Sequence, residues 1–87
     1  MTAVPDEVEL FSTIRALLSA HNSAGIEIRR DTDLAADLSI DSVAAMDLVM
    51  EIEERYDLDI PVNEISELRT VGDLVDLVRR QIEERRG

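Results

Sequence analysis

The sequence predicts an all-α fold, a small four-helix bundle of three principal helices and one short helix, with a long first loop. Three observations carry that prediction. Apolar residues recur at three- and four-residue steps in three separate segments, which is the pattern of a helix with one buried face. No stretch reads as a convincing strand. Each periodic segment also has start or stop signals of its own. With 87 residues, 45% of them hydrophobic, the chain has material for one core and no room for a second.

The first helix is expected from Pro5 to His21. Pro5 suits a first helical turn, and Asp6, Glu7 and Glu9 put negative charge at the positive end of the helix dipole. Val8, Phe11, Ile14, Leu17 and Leu18 make its apolar face, and Asn22 to Gly25 supplies the stop. A connection from about Ser23 to Ile40 follows, long for so small a domain unless something anchors it or it has a job. Leu34 and Leu38 stand four apart, so a short helical turn is expected to pin it to the core.

The second helix begins at Asp41-Ser42, with Asp41 as N-cap, and runs to about Tyr56. Its apolar face is Ala45, Leu48, Val49, Ile52 and Tyr56, and Pro61 limits how far it extends. Asn63 to Leu68 reads as the short third helix, with Ile65 and Leu68 inward. Thr70-Val71-Gly72-Asp73 resembles a capping box and opens the last helix, whose face is Val71, Leu74, Val75, Val78 and Ile82. Arg79, Arg80, Arg85 and Arg86 lie towards its C-terminus, where cations favour the dipole.

Composition excludes several functions. Twenty acids against nine bases, all arginine, give a net charge of −11. Such a chain repels nucleic acid and anionic membrane surfaces and attracts a partner with a basic patch. The absence of cysteine removes disulfides, thiolate catalysis and cysteine-ligated metals. No apolar run approaches the roughly 18 residues of a membrane span, and the acidic N-terminus is unlike a signal peptide. A soluble, cytoplasmic protein without membrane insertion is the expectation. HExxH, Gly-rich phosphate-loop and G-x-S-x-G motifs are missing. The lone His21, at a helix end, reads as a C-terminal cation or an exposed side chain rather than a general base. Asp31-Thr32-Asp33 and Asp57-Leu58-Asp59 fail as calcium loops, because Ala35-Ala36 and Pro61-Val62 fall where a ligand and a glycine are needed. Neither a catalytic residue nor a metal site is expected, and the chain is not expected to be an enzyme.

What stands out is Asp37-Leu38-Ser39-Ile40-Asp41-Ser42-Val43, directly before the acidic helix. A hydroxyl at the first helical position after a long loop is reachable and faces the positive end of the dipole. A phosphodiester on Ser42 would gain about 0.3–1 kcal/mol there. Taken alone, Asp41-Ser42-Val43 reads better as a capped helix start, with Ser42 filling the first turn. From Asp41 to Leu68 the chain holds nine acids and one base, Arg55. Charge of that density raises association rates with a basic partner and weakens with salt.

The wider pattern is Leu34-x-x-Asp37-Leu38-x-x-Asp41-Ser42-Val43, then Leu48 to Tyr56, Ile60-Pro61 and Thr70-Val71-Gly72-Asp73-Leu74. It resembles the acyl carrier protein family over nearly the whole chain, most strongly from Leu34 to Val75. The resemblance implies one carrier-like domain over residues 1–87, acting as a monomer. It implies that Ser42 receives 4′-phosphopantetheine, taken from coenzyme A by a carrier-protein synthase (a phosphopantetheinyl transferase). Asp41 matches the residue that contacts the modifying enzyme. Asp47, Glu51, Glu53 and Glu54 match the surface offered to acyl-processing enzymes with basic patches. The thiol of the arm would hold acyl groups as thioesters, which lets a cysteine-free protein do thiol chemistry. Met46, Val49, Met50, Ile60, Ile65, Leu68 and Val71 are the candidate acyl-chain pocket, with unbranched Met adapting to a changing cavity.

The departures are specific. Ser39 stands where the family usually has Gly, and Val43 where it has Leu. Ala44 and Arg55 stand where fatty-acid-synthesis members commonly have acids. They imply a specialised carrier of lipid, polyketide or related biosynthesis rather than the housekeeping one. A different class of reading, a non-covalent acidic helical adaptor for a basic protein, explains the charge and the bundle. It gives no reason for the D-L-x-x-D-S context.

Overall fold

Asp6 starts the first helix by accepting the Glu9 N–H at 2.8 Å, and α1 runs over Glu7–Leu18. The computed structural model describes residues 6–22 and 25–86, so Pro5 and the middle of the expected Asn22–Gly25 stop lie outside the described residues. A short 3-10 turn, Ser19–His21, ends the element. The Asn22 side chain then closes the following turn, donating to the Ile26 carbonyl at 2.7 Å and accepting its N–H at 3.1 Å.

The buried row of α1 is Leu10, Ile14 and Leu18, with Phe11 and Leu17 packed at its flank. Val8, expected on the apolar face, is 78% exposed. It lies six residues before Ile14, about a third of a turn round the helix from the row that meets α4, whereas Leu10 lies four before it.

The second helix, α2 (Ser42–Tyr56), starts and stops where the local signals put it. Asp41 caps it, accepting the Ala44 N–H at 2.9 Å. Asp57 ends it in the left-handed region at φ 58°, its N–H bonded to the Glu53 carbonyl. Leu48, Val49 and Ile52 are its buried side. Pro61 is the N-cap of α3 (Val62–Ile65), shorter than the Asn63–Leu68 expected. After Ile65 the hydrogen bonds tighten to three-residue spacing, Glu67 to Glu64 and Leu68 to Ile65, and the chain turns to meet the first loop.

The last helix, α4 (Val71–Arg86), opens on a reciprocal cap. The Asp73 carboxylate accepts the Thr70 N–H at 3.1 Å, while the Thr70 hydroxyl accepts the Asp73 N–H at 3.1 Å. Its buried side is wider than expected, taking in Leu77 besides Val71, Leu74, Val75, Val78 and Ile82. It packs chiefly against α1. Among the described residues no helix is long and apolar enough to cross a membrane.

The long loop is fixed at both the side-chain and the backbone level. Ile28, Leu34, Leu38 and Ile40 are buried in the core. A single turn at 33–38 is closed by the Asp37 N–H to the Asp33 carbonyl at 3.0 Å, and the Asp33 carboxylate accepts the N–H groups of Ala35 and Ala36. Loop carbonyls also satisfy the otherwise orphaned N–H groups at the start of α4: Val71 donates to Thr32 at 3.0 Å and Gly72 to Arg30 at 2.7 Å. In return Leu34 donates to the Arg69 carbonyl at 2.8 Å, beside one isolated antiparallel bridge, Asp33 with Thr70. Glycine at position 72 permits this approach, since a Cβ there would sit 3.0 Å from the Arg30 carbonyl.

Candidate functional site

Ser42 is the first residue of a 15-residue helix and is exposed. The anchored loop delivers it there: Ile40, two residues earlier, is buried and donates its N–H to the Leu34 carbonyl at 2.9 Å. Asp41 spends its carboxylate on the Ala44 N–H, which leaves other first-turn N–H groups of α2 at the positive pole, beside the hydroxyl.

Ser42 also stands at the edge of a groove of about 420 Å³ between the 33–42 loop segment, α2 and α3. Leu34, Ile40, Ala45, Met46, Ile65 and Leu68 supply most of its apolar wall, with Val62 on the α3 side and Arg69 and Ser66 at a polar edge. A larger cleft of about 590 Å³ lies between α3 and α4, but it does not include Ser42. Its walls are polar, and several of its charges are already answered, Glu64 by Arg80 at 3.7 Å and Asp76 by Arg30 at 3.0 Å. The groove beside Ser42 is therefore the better candidate site.

The seven aliphatic residues expected to form one pocket divide three ways. Met46, Ile65 and Leu68 line the groove. Val49, Ile60 and Val71 are buried in the core and do not line it. Met50, expected in the pocket with Met46, is 56% exposed and does not line the groove, and Met46 itself is 45% exposed. The reason is angular: Leu48, Val49 and Ile52 fill the side of α2 that meets the core, and the row Ser42, Met46, Met50 stands beside it at four-residue steps. With Val43 at 69% and Val62 at 64%, the two methionines make an exposed apolar patch next to Ser42. The spacing from Ser42 to Met46 and Met50 was the available signal for that patch; nothing in the sequence singled out Val62 or Arg69.

The four acids expected to face partners also divide. Asp47, Glu51 and Glu54 are exposed, and none joins an ion pair among the described residues. Glu53 is half-buried and turned inward along the chain, its carboxylate accepting the Ile60 N–H at 2.8 Å. It holds the connection between α2 and α3. His21 is half-buried at the end of the first 3-10 turn and does not line the groove.

Comparison with known proteins gives the arrangement a context. The family described as the phosphopantetheine attachment site matches residues 12–78. An acyl carrier protein of Tropheryma whipplei is 41% identical over 61 residues, which is 67% of this chain and 74% of that protein. One from Borreliella burgdorferi is 35% identical over 77 residues, covering 87% of this chain and 96% of the relative. In three dimensions the chain is similar to the crystal structure of an acyl carrier protein from Thermotoga maritima. The TM-score is 0.71 at 28% identity, over 86% of this chain and 92% of that one.

Proposed function

The chain belongs to the acyl carrier protein family, whose members hold acyl groups on 4′-phosphopantetheine, and from that premise we propose that Ser42 is the attachment point of the arm. The observation that carries this reading is the position of Ser42: an exposed hydroxyl at the first residue of α2, on the edge of an apolar groove. The residues fit the group. Free N–H groups of the first α2 turn favour a phosphodiester, by about 0.3–1 kcal/mol, and the hydroxyl is open to a modifying enzyme.

When bound, the arm supplies a thiol on which an acyl group is held as a thioester. The chain itself supplies an address and a shelter. Asp41 holds the helix start in register with Ser42 and presents a carboxylate edge to the synthase. Asp47, Glu51 and Glu54 form an uncompensated anionic stripe that steers basic partner enzymes towards the arm. Leu34, Ile40, Met46, Ile65 and Leu68 give the acyl chain an apolar wall. The protein acts as a monomer in the cytoplasm and as a specialised carrier; Arg55, exposed in an otherwise acidic stretch, is the feature that supports specialisation.

The test is intact mass after incubation with coenzyme A and a broad carrier-protein synthase. Wild type gains one phosphopantetheine and Ser42→Ala gains none. Label retained by Ser42→Ala, for example on Ser39, overturns the assignment.

A further inference from the structure

We propose that Met46 and Met50 form a peroxide-sensitive site whose oxidation to the sulfoxide slows loading at Ser42; the proposal rests on the reading that Ser42 receives the arm. Ser42, Met46 and Met50 lie in one row on α2, with a rise of about 6 Å between neighbours. Both methionines are open to solvent, Met46 at 45% and Met50 at 56%. The chain has no cysteine, so no thiol of its own competes for a two-electron oxidant. The other members of the patch, Val43 and Val62, have no sulfur, which confines the sensitivity to these two side chains.

The step balances with hydrogen peroxide as the oxidant. The thioether sulfur takes one peroxide oxygen and the O–O bond breaks. Sulfur is oxidised by two electrons, and the remaining peroxide oxygen leaves as water. A flexible apolar side chain becomes a polar, chiral one, and methionine sulfoxide reductases reverse the change. An enzyme that reaches the Ser42 hydroxyl along α2 must cover the next turn, where Met46 stands. A sulfoxide oxygen trapped there without a donor opposes that contact. Met46 also lines the groove, so its oxidation places the same polar oxygen at the shelter's wall.

The experiment treats purified protein with hydrogen peroxide, removes the peroxide, locates added oxygen by peptide mass, and measures the rate of phosphopantetheine gain. Each protein is compared with its own untreated sample. Wild type is expected to carry sulfoxides at Met46 and Met50 and to load about fivefold or more slowly. Its rate is expected to recover after methionine sulfoxide reductase, with unchanged helical circular dichroism throughout. The double variant Met46→Leu, Met50→Leu is expected to show no loss on treatment, although Met1 can still be oxidised. Wild type that carries both sulfoxides and loads at its untreated rate overturns the proposal. So does an equal loss in the double variant. If untreated wild type gains no phosphopantetheine, the reading of Ser42 itself falls, and this proposal with it.

Discussion

Ser39 holds a backbone φ of 57°, in the left-handed region where an L side chain costs about 1 kcal/mol and glycine costs nothing sterically. It is exposed and closes the turn before Ser42 through its N–H to the Ala35 carbonyl at 3.0 Å. Ser39→Gly keeps that bond and relieves the strain. Stability should rise by about 0.5–1 kcal/mol, read as a higher urea midpoint with unchanged slope; a lower midpoint would mean the side chain contributes something the strain does not outweigh. At Asp41 two substitutions separate two roles. Asp41→Ala loses the cap to Ala44 and should cost about 1 kcal/mol. Asp41→Asn keeps a capping oxygen and should stay within about 0.5 kcal/mol of wild type. If the carboxylate charge also serves the modifying enzyme, Asn should still load more slowly than wild type. Equal loading rates for wild type and Asn would reduce Asp41 to a cap.

The first loop behaves as a structural element although it lacks regular secondary structure. Leu38 is 3% exposed, and the loop carbonyls of Arg30 and Thr32 complete the start of α4. Leu38→Ala should therefore cost about 2–4 kcal/mol, as a helix core position does. A thermal melt within experimental error of wild type would show that the loop docks without contributing. On α2 the useful comparison is between Glu51→Arg and Glu84→Arg. Glu51 is exposed on the stripe that follows Ser42; Glu84 is exposed on α4. Asp6 and Glu83 make poorer controls, because Asp6 caps α1 and Glu83 pairs with Arg79 at 3.5 Å. Neither reversal should disturb folding by more than about 0.5 kcal/mol. The Glu51 reversal should slow loading by a basic synthase at low salt. The difference should fade towards 1 M salt, where the Debye length is about 3 Å. Equal rates for the two variants across the salt series would make α2 a solubilising face and nothing more.

Over the whole molecule the charges are unevenly shared. Arginines of the first loop and of α4 pair with acids around them: Arg30 and Arg79 both reach Glu7, Arg80 reaches Glu64 and Arg85 reaches Asp57. The hydrogen bond that Arg30 donates to Asp76 raises the Arg30 pKa above its ordinary value, with the charges of Asp76 and Glu7 helping. A raised base favours folding below its ordinary pKa and loses that support only as pH passes the raised one. The Arg30 contribution therefore holds across the working range. These pairs range from partly to largely exposed and are individually weak. The net charge of −11 is not weak, and its self-repulsion opposes the compact state. Raising salt from low to moderate should lift the melting temperature by a few degrees, which calorimetry would read directly. A fall instead would mean that the arginine pairs outweigh the repulsion.

The sequence by itself determined the features that depend on neighbours within one turn. Caps at Asp41 and at Thr70 with Asp73 reach only three residues, so the starts of α2 and α4, and with them the position of Ser42, were legible from composition and spacing. Leu34 and Leu38 signalled the anchored turn for the same reason. Tertiary structure alone decided what each element faces. A 3.6-residue repeat leaves the edge of an apolar face ambiguous, and only the direction of α4 chose Leu10 over Val8. The core filled from Leu48, Val49 and Ile52, which left Met46 and Met50 outside. The Ile60 N–H claimed Glu53, and the meeting of the first loop with the end of α3 brought Arg69 and Val62 to the groove. Each of these outcomes joins residues whose spacing along the chain is set by packing between elements, and no local pattern records that.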